Sequence, residues 1–284
     1  MGGAARASVV WMALCGAVAA GQSPAALPAP PAGPVQQASA GSLGDALLGN
    51  ATALYGSMAK AGVRGFDCQV HPDWKRMMES SSKGEPVAGG EAKLALLSTV
   101  RITLHARLKG GASLDWQAPA APERDQAAAA MLERAHRSME NTLEGVLKLW
   151  IPLVDGSVAE AFGAEDADVK QSGDGYTVRS KDKGQSLTEA FDKELVLKQS
   201  TAVDAGATVD VAPSFERSAE GLLPTGFVAD VHPAGARAGA VQEMHVGIGY
   251  QTVPGGRIPG ELSVEIPNVV QMEFKLDGCV VNPQ

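Results

Sequence analysis

The chain has 284 residues, of which 45% are hydrophobic and only 20% charged, and its formal net charge is −8. That length supports one large domain or two small ones, and an acidic balance without a basic stripe excludes the electrostatic footprint of a nucleic-acid binder. Aromatics are scarce while Ala, Gly and Val abound, which favours thin β packing over an aromatic sugar-binding surface.

The N-terminus reads as an export signal. Arg6 precedes an apolar stretch from Ala7 to Ala20 that ends in the small residues Ala17-Val18-Ala19-Ala20, the pattern of a signal peptide over residues 1–20 cut near Ala20 or Gly21. Loss of Arg6 with it leaves 23 basic against 32 acidic side chains, a charge of −9. An uncleaved anchor is the alternative, but the run is short for one. Cys15 raises a lipoprotein reading; Leu14 stands where a lipobox needs a small residue, and the apolar run continues to Ala20, so Cys15 falls inside the signal segment. Residues 21–41 carry Pro24, Pro28, Pro30, Pro31 and Pro34 among Ala, Gly, Ser and Gln, a composition that stays extended and builds no core. One domain is expected over 42–284.

Ser42 is a suitable N-cap for a helix from Leu43 to about Lys60, with Leu47, Leu48, Leu54 and Met58 on its apolar side and Gly62 after it. The sequon Asn50-Ala51-Thr52 falls on that helix and is read as idle. A first strand covers Phe66 to Val70, then a short helix or turn reaches about Ser82 and a loop runs from Lys83 to Gly90. Val100, Ile102, Leu104, Ala106 and Leu108 alternate with Arg101, Thr103, His105, Arg107 and Lys109, which predicts a strand with one buried face. Gly110-Gly111 turns it into a partner at Ser113 to Gln117. The outward row carries three basic residues and a histidine, readable as an anion strip or as an ordinary solvated face.

Pro122 introduces the longest predicted helix, Glu123 to Trp150. Leu132, Ala135, Met139, Leu143, Val146, Leu147 and Trp150 line one side, and Glu133 with Arg137 and Glu144 with Lys148 form spacing-four pairs on the other. Pro152 and Gly156 are expected to close it. After the acidic loop Glu165 to Asp168, five β runs follow at hairpin spacing: Tyr176 to Ser180, Leu187 to Phe191, Leu195 to Val203, Thr208 to Phe215 and Leu222 to Val231. Four more lie between Glu243 and Asn282: Met244 to Val253, Glu261 to Ile266, Val269 to Asp277 and a last piece ending at Val281. The predicted class is α+β: an antiparallel meander of about ten strands with the long helix lying across the sheet and an N-terminal helix.

Cys68 and Cys279 remain after processing, and an oxidising compartment predicts a bridge between them; two buried free thiols are the alternative. Closing 211 residues of separation stabilises by up to ~5 kcal/mol in the chain-entropy picture. Cys68 shares parity with Phe66 and Val70, however, whereas alternation from Phe274 and Leu276 puts Cys279 on the opposite face. The bridge therefore requires a break in register, for which Asp277-Gly278 is the natural bulge.

No motif of catalysis is visible. The five histidines His71, His105, His136, His232 and His245 have no zinc spacing, and no nucleophile elbow, P-loop or dinucleotide fingerprint occurs. Asp166, Asp168 and Asp174 resemble a calcium loop only faintly, since Gln171 stands where the turn needs Gly. Asp67, Asp73, Glu189 and Asp192 could be paired carboxylates only if the fold brought two together. A non-enzyme without metal or cofactor is expected.

Tyr250-Gln251-Thr252-Val253, Arg257-Ile258-Pro259-Gly260-Glu261-Leu262 and Phe274, at the end of an exported chain with this layout, resemble the close of the outer-membrane lipoprotein carrier (LolA/LolB-like) superfamily. The resemblance implies that the meander is a curved sheet forming a half-open barrel, with the long helix packed across its concave face, and that the hydrophobic interior holds acyl chains. Expected interior contacts here are Ile102, Leu104, Trp116, Leu143, Leu147 and Trp150; the expected partner is a lipid or acylated protein, with peripheral membrane contact. A structural or accessory envelope module with the same fold and no ligand is the alternative.

Overall fold

A computed structural model of the chain describes residues 40–56, 58–82, 89–119, 126–182, 185–235 and 241–282. The expected signal segment, nearly all of the expected linker, and Pro122 with Glu123 lie outside the described residues.

Twelve strands form one sheet. They are β1 (Gly65–Pro72), β2 (Arg101–Arg107), β3 (Gly111–Gln117), β4 (Asp168–Ser172), β5 (Gly175–Asp182), β6 (Gln185–Phe191), β7 (Leu197–Asp204), β8 (Ala207–Ser218), β9 (Gly221–His232), β10 (Gln242–Val253), β11 (Gly256–Ile266) and β12 (Val270–Val281). From β4 to β12 each strand pairs antiparallel with the next, β1 then joins β12, and β2 and β3 follow, so β3 and β4 are the two edges. Helices are α1 (Ala40–Leu54), α2 (Trp74–Ser81), α3 (Gly90–Leu97), α4 (Gln126–Val154) and α5 (Ser157–Glu160), the last followed by a 3-10 turn at Ala161–Gly163.

The meander is therefore twelve strands rather than about ten. β4 escaped notice because Asp168–Ser172 turns only Val169 inward, and the separate last piece is the continuation of β12 through a bulge. The N-terminal helix starts earlier and stops at Leu54 rather than near Lys60. Tyr55 there leaves the helix to bridge Leu222 of β9. Pro152 lies inside α4, which runs on to Val154; this near the helix end, one lost intrahelical bond is offset by burial of Ile151, Leu153 and Val154. The helices α3 and α5 were not anticipated.

The sheet is open and wraps around α4. In chain direction, His136 of α4 stacks on Trp116 of β3, the Thr142 hydroxyl meets Met272 Sδ of β12 at 3.8 Å, and Trp150 touches both Phe66 of β1 and Tyr250 of β10. Strands β1 and β10 are three places apart, about 14 Å in a flat sheet, so one indole reaches both only if the sheet curls. Gly226 of β9, opposite Gly247 of β10, is one place where it does: a Cβ on Gly226 would stand 2.3 Å from the Val246 carbonyl oxygen. The alternation expected of half-buried strands holds, with Phe227, Ala229 and Val231 of β9 and Met272, Phe274 and Leu276 of β12 turned into one core.

Candidate functional site

The concave face and its roof are the candidate site. Helix α4 links the two sheet edges, and its 29 residues give about 43 Å of rod to lay across the interior. Its second half supplies the roof: Met139, Leu143, Val146, Leu147, Trp150 and Val154 are all 0% exposed. Of the expected interior contacts, Leu143, Leu147 and Trp150 come from this roof and meet Ile102 and Leu104 of β2, at 1% and 0% exposure, in one contiguous core. Trp116 packs against this core from the rim, half-buried on β3.

Two polar anchors fix the roof. The Trp150 indole donates to the Tyr250 hydroxyl at 3.1 Å, and that hydroxyl donates to the Pro224 carbonyl at 2.8 Å. Phe66 meets the same indole edge-on, with ring centroids 6.2 Å apart. The Arg257 guanidinium lies 5.4 Å over the Tyr250 ring and pairs with Glu216 at 3.3 Å, closing that end with charge. On the far wall the Tyr55 hydroxyl donates to the Leu195 carbonyl at 2.9 Å and accepts from the Leu197 N–H at 2.6 Å, a fit that goes with the positive φ of Leu195. Burial pushes both the Tyr55 and the Tyr250 hydroxyl well above the ordinary tyrosine range.

At the rim, His136 lies flat on Trp116, centroids 4.9 Å apart and planes at 15°, and Trp74 of α2 meets the same indole edge-on at 6.3 Å. Sequence reading weighed His136 only as a metal ligand. Its position one residue after Ala135 on the apolar side of the helix was the signal for a packing role. Phe66, Tyr55 and Tyr250 were likewise absent from the expected contacts, although Phe66 shares the inward parity of Cys68 and Val70.

On the convex face two members of the basic strip, His105 and Arg107, are held by one carboxylate. Asp67 of β1 accepts from Arg107 Nη1 at 2.7 Å and sits 3.0 Å from His105 Nδ1. Burial alone would raise the Asp67 carboxyl, but the hydrogen bonds from Arg107 and His105 outweigh it and hold the group below the usual carboxylate range. Ser113 is in register with His105, giving an acid, imidazole and hydroxyl row across three strands; the described hydrogen bonds do not join Ser113 to His105. Of the other suspected carboxylates, Glu189 is buried on β6, and two have local work. Asp73 caps α2 by accepting from the Arg76 N–H, and Asp192 accepts from the Val196 N–H and pairs with Lys198 at the β6–β7 turn. Asp168, from the faint calcium pattern, pairs with Lys170 at 2.6 Å, and Asp166 accepts from the Lys181 N–H.

Among the described residues no cluster of His, Cys, Asp or Glu is arranged to hold a metal ion, and no described helix is long and apolar enough to cross a membrane. Cys68 and Cys279 form a disulfide. The chain matches no family model, and no curated protein matches it closely enough to count as a relative.

Proposed function

We propose that this is an exported cell-envelope protein of the lipoprotein carrier (LolA/LolB-like) kind, which binds a lipid or the acyl chain of a lipoprotein inside its half-barrel. The observation that carries the reading is the single, predominantly apolar concave face roofed by one helix: although Ser180 and Glu189 are buried with it, a surface of this shape and composition selects a ligand chiefly by its hydrocarbon content. Export is supported by the charge, apolar run and small residues of positions 1–20 and by the Cys68–Cys279 disulfide, a bond that persists in oxidising compartments. Transfer of such a ligand calls for peripheral contact with a membrane, and the binding itself calls for no cofactor.

Mass spectrometry of organic extracts from the purified protein tests the reading, with co-purifying lipid as the expected result. Delipidated protein that takes up no fluorescent fatty acid would refute it.

One observation favours the alternative, an accessory module that uses the same fold without a ligand. Roof residues at 0% exposure mean that the interior is filled by the chain's own side chains, so an acyl chain has to displace part of α4. Ligand-free extracts together with failed probe uptake would decide for this second reading.

A further inference from the structure

We infer that the seam between edge strand β3 and the first half of α4 is the way into the apolar interior, latched by the stacked rings of Trp116 and His136. The inference rests on the acyl-binding reading above and adds where the chain enters.

Burial falls away toward the β3 edge of the sheet. The inward residues of β2, Ile102, Leu104 and Ala106, are 1% exposed or less, while those of β3, Ala112, Leu114 and Trp116, are only half-buried. Helix α4 shows the same gradient: between Gln126 and Ser138 Leu132 alone is buried, and from Met139 onward the core-facing positions are closed. At the opposite edge α1 packs onto the 3-10 turn Ala161–Gly163 and onto Val169 of β4, so tightly that a Cβ on Gly44 would stand 2.3 Å from the Phe162 carbonyl oxygen. Among the described residues no strand lies outside β3 to press it onto the helix.

The helix is thus held unequally along its length. Its second half is fixed by a buried face and by the Trp150–Tyr250 hydrogen bond, its first half by Leu132 and by partly exposed side chains that include the His136–Trp116 stack. Local unfolding of the first half together with β3 exposes the layer containing Leu104 and Met139 without disturbing the Trp150 anchor. The interior beyond the seam is a continuous apolar core, so a single acyl chain is the occupant that this path fits: long, thin and without polar groups to satisfy.

Native-state hydrogen exchange on the whole protein, with stopped-flow uptake of cis-parinaric acid, tests this. Amides of β3 and of residues 128–138 should exchange at least about tenfold faster than those of 139–150, through an opening that is less sensitive to denaturant than global unfolding. His136→Ala should raise exchange in the seam and speed probe uptake by roughly the same several-fold factor, because both report one opening equilibrium, with exchange of β1 and of 146–150 unchanged. His136→Phe, which keeps a flat ring, should return wild-type rates. Seam amides that exchange only by global unfolding, or a probe that binds at a rate indifferent to His136→Ala, would overturn the inference while leaving acyl binding intact. A seam that opens while neither protein takes up the probe would overturn the acyl reading itself, and the seam's role with it.

Discussion

Cys68 and Cys279 are bonded across β1 and β12 although simple alternation would put them on opposite faces of the sheet. Asp67 pairs with Val280 and Gln69 with Asp277, so Cys68 alone opposes Gly278 and Cys279. The extra residue resets the parity of β12, and Gly278 takes it up at φ +57°. Replacing both cysteines with Ser, or reducing the bond, should lower stability by about 2–5 kcal/mol, read as a shift in the urea midpoint. Gly278→Val should cost about 1–2 kcal/mol by forcing a branched side chain into the left-handed region. Equal midpoints for oxidised and reduced protein would show that the ends of the domain hold together without the bond.

Tyr250 is the hinge pin between roof and wall. Tyr250→Phe removes the acceptor of the Trp150 N–H and the donor to the Pro224 carbonyl while keeping the ring, so its effect isolates the two hydrogen bonds. Leaving a buried N–H unpaired costs about 1–3 kcal/mol, which at this size lowers the thermal midpoint by roughly 2–4 °C for each kcal/mol. Trp150 fluorescence should shift with it. A Phe variant that melts with the wild type would mean that packing alone seats Trp150.

Much of the layout was legible because it is written at short range. Period-2 alternation in Val100 to Leu108 and Val270 to Leu276 marks buried strands, and the Leu, Met and Trp stripe of α4 marks the roof. The cysteine parity conflict even located the bulge at Gly278. Residues that work through distant partners were not legible. Nothing next to Tyr55 announces that its hydroxyl will serve the Leu195–Leu197 turn 140 residues away, and Asp67 finds Arg107 and His105 only because β1 and β2 pair. Asp168–Ser172 was missed as a strand because an edge strand needs a single inward residue.

Alkaline titration should separate the buried tyrosines from ordinary ones. An ordinary tyrosine ionises near pH 10, and burial holds Tyr55 and Tyr250 well above that in the folded state. The folded state therefore retains protons that the unfolded state releases. The stabilisation is whole below about pH 10 and is lost as pH rises from there toward the raised folded-state values. Tyrosinate absorbance for these two residues should appear together with loss of structure by circular dichroism. Reversible ionisation of all three tyrosines in folded protein would contradict the burial of both hydroxyls.

One stretch of strand edge lies inside the sheet, along the start of β12. Pairing of β1 with β12 stops at Pro72 opposite Phe274, which leaves the backbone of Gln271 to Glu273 without a strand neighbour on that side. Helix α2 takes the place of the strand. The Asp73 N–H donates to the Glu273 carbonyl at 2.9 Å, and the Ser80 hydroxyl accepts from the Gln271 N–H at 3.0 Å while lying 3.1 Å from the Gln271 and Met77 carbonyls, to either of which its proton can go. Arg76 adds an ion pair to Glu273 at 2.7 Å. A strand edge left bare is a template for another chain, so Ser80→Ala should do two things: lower stability by about 1 kcal/mol and raise self-association at high concentration, seen by light scattering. Ser80→Thr keeps the hydroxyl and should restore both properties. An Ala variant that is as stable and as monodisperse as the wild type would show that α2 covers this edge by contact alone, without the bridging hydroxyl.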